Sequence, residues 1–207
     1  MVAEADHKKE LDLQTQRTLE RRSKITDAAR KLFIENGFHN TGMAQLSKES
    51  GVLVGQIYRD FCSKEEIVSA IVEWDLQESL AVEDLRAAIA IKDRDAVKEW
   101  IRQYVRGPED DSGVLFAEIV AESSRNPKIA GITREALEQM RTAIVDALML
   151  LAPDPAKAET RERLARAILS ISGGMLMQQS IPLGQYDKKL SDHIVAMIDR
   201  EVSELER

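Results

Sequence analysis

Apolar residues recur along this chain at three- and four-residue spacings, with no strand-like alternation between the stripes. Ile25, Ala28, Ala29, Leu32 and Phe33 form the first helical stripe, which stops at Asn36-Gly37, a pair suited to a left-handed C-terminal cap. Thr41 offers an N-cap for a short helix through Ser50, closed by Gly51, and another short helix covers Val54 to Phe61. Ser63-Lys-Glu-Glu66 is a capping box and opens a long helix. Later stripes run from Val97 to Val105, Val114 to Ser124, Ile129 to Leu151, Leu164 to Ile181 and Leu190 to Leu205. The pattern predicts an all-α protein of about nine helices.

No repeat of solenoid length and no low-complexity segment interrupts these stripes. Residues 1–22 are charged and lack an apolar stripe, so they read as a flexible tail or a helix extension. The soft boundary near residue 68 falls inside the capping-box helix, which is expected to run from a small N-terminal bundle into a larger one and to carry motion between them.

Composition narrows the function classes. The chain has 207 residues, 43% hydrophobic and 31% charged, an ordinary globular balance. A single cysteine excludes an intramolecular disulfide framework and suits a reducing, cytoplasmic setting. The charged opening residues predict no secretory leader, and no apolar run is long enough to predict a membrane span. The net charge of −7 argues against a nucleic-acid partner only if it is evenly spread. Residues 1–68 carry 11 Lys/Arg and 11 Asp/Glu, so all of the excess lies in the remainder. Arg17 to Lys31 holds six cations (Arg17, Arg21, Arg22, Lys24, Arg30, Lys31) against Glu20 and Asp27. Such a local excess is either a solvated helix face or an electrostatic footprint for phosphates.

The two short helices decide between these readings. Two helices crossing steeply need small residues where they touch, and Ser47 and Ser50 supply them. Gly51 permits the tight turn, while Leu46, Val52, Ile57 and Phe61 anchor the second helix. Val54, Gln56, Tyr58 and Arg59 then face outward, as in the second helix of a helix-turn-helix. Gln can pair with adenine and Arg with guanine in the major groove. Tyr58, Lys64, and Thr41 at a helix start suit phosphate oxygens, with Arg22 and Lys24 on the preceding basic stretch.

Residues 24–72 resemble the N-terminal domain of TetR-family transcriptional regulators. The resemblance rests on Ile25-Thr-Asp-Ala-Ala-Arg-Lys-Leu-Phe33, Asn36-Gly-Phe38, Thr41, Met43 to Leu46, Gly51-Val52, Gly55-Gln-Ile-Tyr58, Phe61 and Ser63-Lys-Glu-Glu66, in order and at matching spacing. It implies a helix-turn-helix DNA-binding domain over 23–68 and an effector-binding and dimerisation domain over 69–207. It also implies DNA contacts at Thr41, Val54, Gln56, Tyr58 and Lys64, with Gly55 allowing close approach of the backbone. Three positions depart from the pattern: Leu53 replaces a capping Ser, Val54 a Lys or Arg, and Gly42 a Ser or Thr.

The implied function is a homodimeric repressor of a pseudo-palindromic operator, released by a small-molecule effector. A transcriptional activator of the same family and a helical interaction scaffold remain open alternatives. For an effector pocket the candidates are Trp74, Trp100, Tyr104, Phe116, Glu118, Ile119, Met140, Ile144, Met175 and Gln178, most of which could equally be core. Glu118 and Glu122 lie four residues apart, facing a cationic effector or, the commoner arrangement, on a solvated edge. Gly173-Gly174 inside a helical pattern calls for compensation, either a closely packed partner helix or a ligand-induced kink. Gly173, Met177, Ile194, Met197 and Ile198 are accordingly the candidate dimer contacts. Nothing resembles a nucleotide loop, a nucleophile elbow or spaced Cys/His ligands, so no catalysis, metal or cofactor is expected. Cys62 is a conceivable redox sensor and more simply incidental; His193 reads as an edge residue, and Glu4-x-x-His7 alone makes no metal site.

Overall fold

The computed structural model describes residues 2–79, 81–108, 112–181 and 187–207, with side chains from Gln14 onward except at 78 and 79. Its described residues form ten α-helices and no strands. They divide into two compact units, residues 1–71 and 72–207. No helix among them is long and apolar enough to cross a membrane.

The first unit contains α1 (Val2–Asn36), α2 (Met43–Ser50), α3 (Val54–Asp60) and most of α4 (Lys64–Trp74). Residues before Lys24 therefore continue helix α1. Ile25, Ala28, Ala29, Leu32 and Phe33 are buried, as the first stripe anticipates. The end of α1 is closed by Gly37 at φ 79°, whose N–H donates to the Phe33 carbonyl. Asn40 Nδ2 donates to the Asn36 carbonyl at 3.0 Å. At α4 the capping box takes a shifted form. Ser63 Oγ accepts the Glu66 N–H, while the Glu66 carboxylate reaches back to the N–H of Cys62.

The second unit opens with the last turn of α4. The long helix expected from Ser63 ends at Trp74, passes through a π-helical turn over Asp75–Ser79, and restarts as α5 (Val82–Ala90) after Ala81 in the left-handed region at φ 47°. No Gly or Pro between residues 75 and 81 marks this break, so the periodic pattern runs straight through it. There follow α6 (Arg94–Arg106), α7 (Ser112–Ser123), α8 (Pro127–Leu151), α9 (Ala158–Gln179) and α10 (Lys188–Glu206). Asp93, Asn126 and Asp187 cap α6, α8 and α10 through their side chains.

One core joins Leu85 of α5, Trp100 and Val105 of α6, Ile144 and Leu148 of α8, Ile168 of α9 and Val202 of α10. The buried Arg161 guanidinium donates to the carbonyls of Ala152 and Asp154 at 2.6 and 2.8 Å. It thereby satisfies backbone acceptors just past the end of α8, which burial would otherwise leave costly.

Candidate nucleic-acid interface and regulatory cavity

Helix α3 is held from below and open above. Gly51 adopts φ 70° and ψ 10°, where a side chain would be strained, and closes α2. Ser50 Oγ donates to the Leu46 carbonyl and accepts the Val52 N–H, stapling the turn. Leu46 and Ile57 are fully buried. On the other side Val54, Gly55, Tyr58 and Arg59 are exposed and Gln56 is half-buried. A Cβ added at Gly55 would meet nothing within 4 Å. The fold of this chain thus gives no steric reason for glycine there.

Two arginines of the basic stretch grip the end of α3 instead of standing in solvent. Arg21 forms a two-pronged ion pair with Asp60, Nε to Oδ2 at 2.5 Å and Nη2 to Oδ1 at 2.8 Å. Arg22 Nη1 donates to the Asp60 carbonyl at 2.6 Å, and its guanidinium lies 4.1 Å from the centre of the Phe61 ring. Hydrogen bonding from Arg21 holds the Asp60 carboxyl below the usual carboxylate range, against the opposing effect of burial, with the charges of Arg21, Arg22 and Arg59 adding to it. Lys31 is also paired, with Glu49 at 2.6 Å. Arg17 and Lys24 are exposed. The footprint is therefore smaller than the count of cations suggests, and Arg22 is placed as a structural clamp.

Thr41 and Lys64 likewise turn inward. Thr41 is fully buried, and its single hydroxyl proton is shared between the carbonyls of Leu32 and Gly37. Gly42, not Thr41, occupies the N-cap position of α2, and Gln45 Oε1 accepts the Gly42 N–H at 2.7 Å. Lys64 Nζ donates to the carbonyls of Phe38 and Thr41 at 2.7 and 2.9 Å and lies 4.3 Å from the Phe38 ring centre. Both residues fix the segment between α1 and α2, a demand that residue type alone does not reveal.

The second unit holds a cavity of about 190 Å³, partly open to solvent. Of the sequence candidates, Tyr104, Phe116, Ile119 and Met140 line it. Trp100 stacks on Tyr104 at 5.6 Å between ring centres, 7° from parallel, and so fixes that wall from the core side. Burial pushes the Tyr104 phenol pKa up, so the group stays neutral. Ile144 belongs to the core, Trp74 and Gln178 are exposed, and Glu118 and Met175 are half-buried outside the lining. Glu122 does not lie on a solvated edge: it is 3% exposed, with its carboxylate 3.7 Å from Arg125. Sequence reasoning missed Ser172, which lines the cavity and is 4% exposed, with Oγ lacking any hydrogen-bond partner.

Residues 25–71 match the family model of bacterial regulatory proteins of the tetR family. The likeness to this family lies in the first unit. A relative, the HTH-type transcriptional regulator UidR of Escherichia coli K12, is 33% identical over 115 residues, 55% of this chain and 57% of its own. The chain thus spans little more than half the length of that curated relative. Among solved structures, Salmonella enterica GusR is 26% identical with a TM-score of 0.61, covering 88% of this chain and 95% of its own. The multidrug binding protein EbrR, solved in complex with malachite green, shares the fold at 17% identity and a TM-score of 0.58, over 86% of this chain and 97% of its own.

The candidate dimer residues separate in the structure. Met177 and Met197 are exposed, whereas Ile198 is buried in the core and Ile194 is half-buried against it. The inward stripe of α10 is Val195, Ile198, Val202 and Leu205, so Ile194 and Ile198 do not form one outward face. A Cβ at Gly173 would lie 3.8 Å from Phe116 Cζ, an ordinary contact, and one at Gly174 would meet nothing within 4 Å. Cys62 and His193 are exposed. Among the described residues no cluster of His, Cys, Asp and Glu could hold a metal ion.

Proposed function

We infer that the chain is a DNA-binding transcriptional repressor that acts as a dimer on a pseudo-palindromic operator and is released by a small molecule. The exposed face of α3 carries this reading. Val54, Gln56, Tyr58 and Arg59 stand above the buried Ile57 anchor, with an unobstructed glycine among them. Their chemistry divides as groove recognition requires: Gln56 and Arg59 for base edges, Val54 for a thymine methyl, and Tyr58 for a phosphate. Exposed apolar residues on α9 and α10, namely Met177, Leu190 and Met197, suit a dimer contact. A dimer would set two α3 helices about 34 Å apart, one turn of DNA. The ligand arm draws support from the cavity and from EbrR, whose solved complex holds malachite green.

Selection of binding sites from random duplexes, followed by gel shift, tests the reading. Recovery of a palindrome with affinity falling steeply as salt rises is expected; no selected site would favour the scaffold alternative. Gln56→Ala should relax preference at one base pair per half-site by roughly tenfold, within the about 1–3 kcal/mol of a bidentate pair. Equal losses on selected and random DNA would remove Gln56 as a base reader.

Gly55 provides a second test. Glycine in a helix costs up to about 1 kcal/mol relative to alanine, and nothing in this chain fills the space above it. Gly55→Ala should therefore leave the melting temperature unchanged or raised while weakening binding to all duplexes. A variant that binds DNA as well as the parent would show that this backbone does not approach the duplex.

A further inference from the structure

We propose that the cavity of the second unit takes a compact, uncharged, mainly apolar molecule of about one ring, bearing a single hydrogen-bonding group that pairs with Ser172. The proposal rests on the effector reading above and specifies the ligand's chemical class. Size is the first argument. An apolar cavity of about 150 Å³ accommodates a benzene ring, and this one is about 190 Å³. One ring with a short substituent therefore fills it, and a larger molecule would have to reach out through the open side.

Charge is the second argument. The walls are supplied by Val72, Leu76, Leu115, Phe116, Met140 and Leu176, with Tyr104 neutral among them. No described lining residue is cationic. The neighbouring Arg106 lies 3.5 Å from Glu99. A carboxylate or phosphate placed here would lose its hydration without a counter-charge. The one lining carboxylate, Asp75, already has an interaction of its own, so a cation is not specifically invited.

Ser172 is the third argument. A serine inside a helix commonly returns its hydroxyl to the carbonyl four residues earlier, as Ser50 and Ser123 do here. Ser172 makes no such bond, although it is nine-tenths buried and its Oγ has no partner. A buried hydroxyl without a partner is costly, and a ligand group in the cavity would satisfy it. The other lining alcohol with a described partner, Thr133, is already bonded to Ser123 at 2.9 Å.

Calorimetry of the full chain with three probes sharing one ring tests this: 2-phenylethanol, phenylacetate and 2-phenylethylammonium. The alcohol should bind, and the carboxylate should bind at least tenfold more weakly or not at all. Ser172→Ala should weaken the alcohol at least fivefold while leaving the melting temperature of the unliganded chain unchanged or raised. Phenylacetate equal to the alcohol, tighter binding of the ammonium probe, or indifference to Ser172→Ala would each overturn the assignment. Gel shift with a selected duplex separates the two levels. Binding of the alcohol without release of DNA would retain the ligand class and sink ligand-driven release; no binding of the alcohol would sink the class whatever the DNA does.

Discussion

Gly113→Ala is expected to destabilise the second unit by about 2 kcal/mol, although glycine-to-alanine changes inside helices usually stabilise. Gly113 lies in the first turn of α7, where a Cβ would fall 2.6 Å from the Leu176 carbonyl oxygen, 3.0 Å from Gln179 Cβ and 3.3 Å from the Ser180 N. Two of those atoms are backbone and cannot rotate away, so α7 must back off from α9. Overpacking of this kind costs about 1–3 kcal/mol, occasionally more, and the helix-propensity gain offsets up to about 1. For a chain of this size, about 2 kcal/mol lowers the melting temperature by roughly 4–8 °C. Gly174→Ala, with nothing within 4 Å of the added Cβ, should instead raise it by up to a few degrees. Thermal unfolding of the two variants side by side checks both signs, and a neutral Gly113→Ala would refute the close approach of α7 and α9. Because Leu115, Phe116 and Leu176 line the cavity, Gly113→Ala should also weaken any binding of 2-phenylethanol there.

These two glycines show where sequence reading stops. Gly173-Gly174 is conspicuous because it interrupts a helical stripe, yet no close contact within the chain requires glycine at either position. Gly113 sits unremarked beside the acidic run Glu109-Asp-Asp111, and its constraint comes from a helix about sixty residues away. Periodicity reports which face of a helix is buried, not how near the next backbone comes. The same distinction holds in the first unit. The turn at Gly51, the anchor Ile57 and the outward ridge of α3 follow from local spacing and were legible. Arg21 and Asp60 are thirty-nine residues apart, and nothing in either neighbourhood announces their pairing. Thr41 and Lys64 have the right chemistry for phosphates, but carbonyls of the chain itself hold them. Ser172 escaped for the opposite reason: a serine in an apolar stripe looks ordinary until its hydroxyl is found without a partner.

The Arg21–Asp60 clamp yields the other large effect, and its sign separates two physical roles. If Asp60 were only a surface carboxylate near bound phosphates, Asp60→Asn would remove a repulsive charge and strengthen DNA binding. The geometry predicts the reverse. Asp60 is the last residue of α3, its side chain is 6% exposed, and both its oxygens are held by Arg21 of α1. Asparagine retains one acceptor but loses the charge-assisted pair, a difference of about 1–2 kcal/mol. The end of α3 then loses its fixed seat against α1, so affinity for a selected duplex should fall by about tenfold even as the local charge becomes more favourable. Acid provides an independent check that requires no DNA. Because the folded carboxyl ionises at lower pH than its unfolded counterpart, whose value is about 4, the unfolded chain takes up the proton first as acid is added. The stability due to this pair is thus complete above about pH 4 and is lost as pH falls through the folded value. Asp60→Asn should be less stable than the parent at neutral pH, with the gap narrowing below pH 4 as the parent loses the same contribution. A gap that stays constant down to pH 2, or tighter DNA binding by Asp60→Asn, would show that Arg21 and Asp60 do not hold α3 in place.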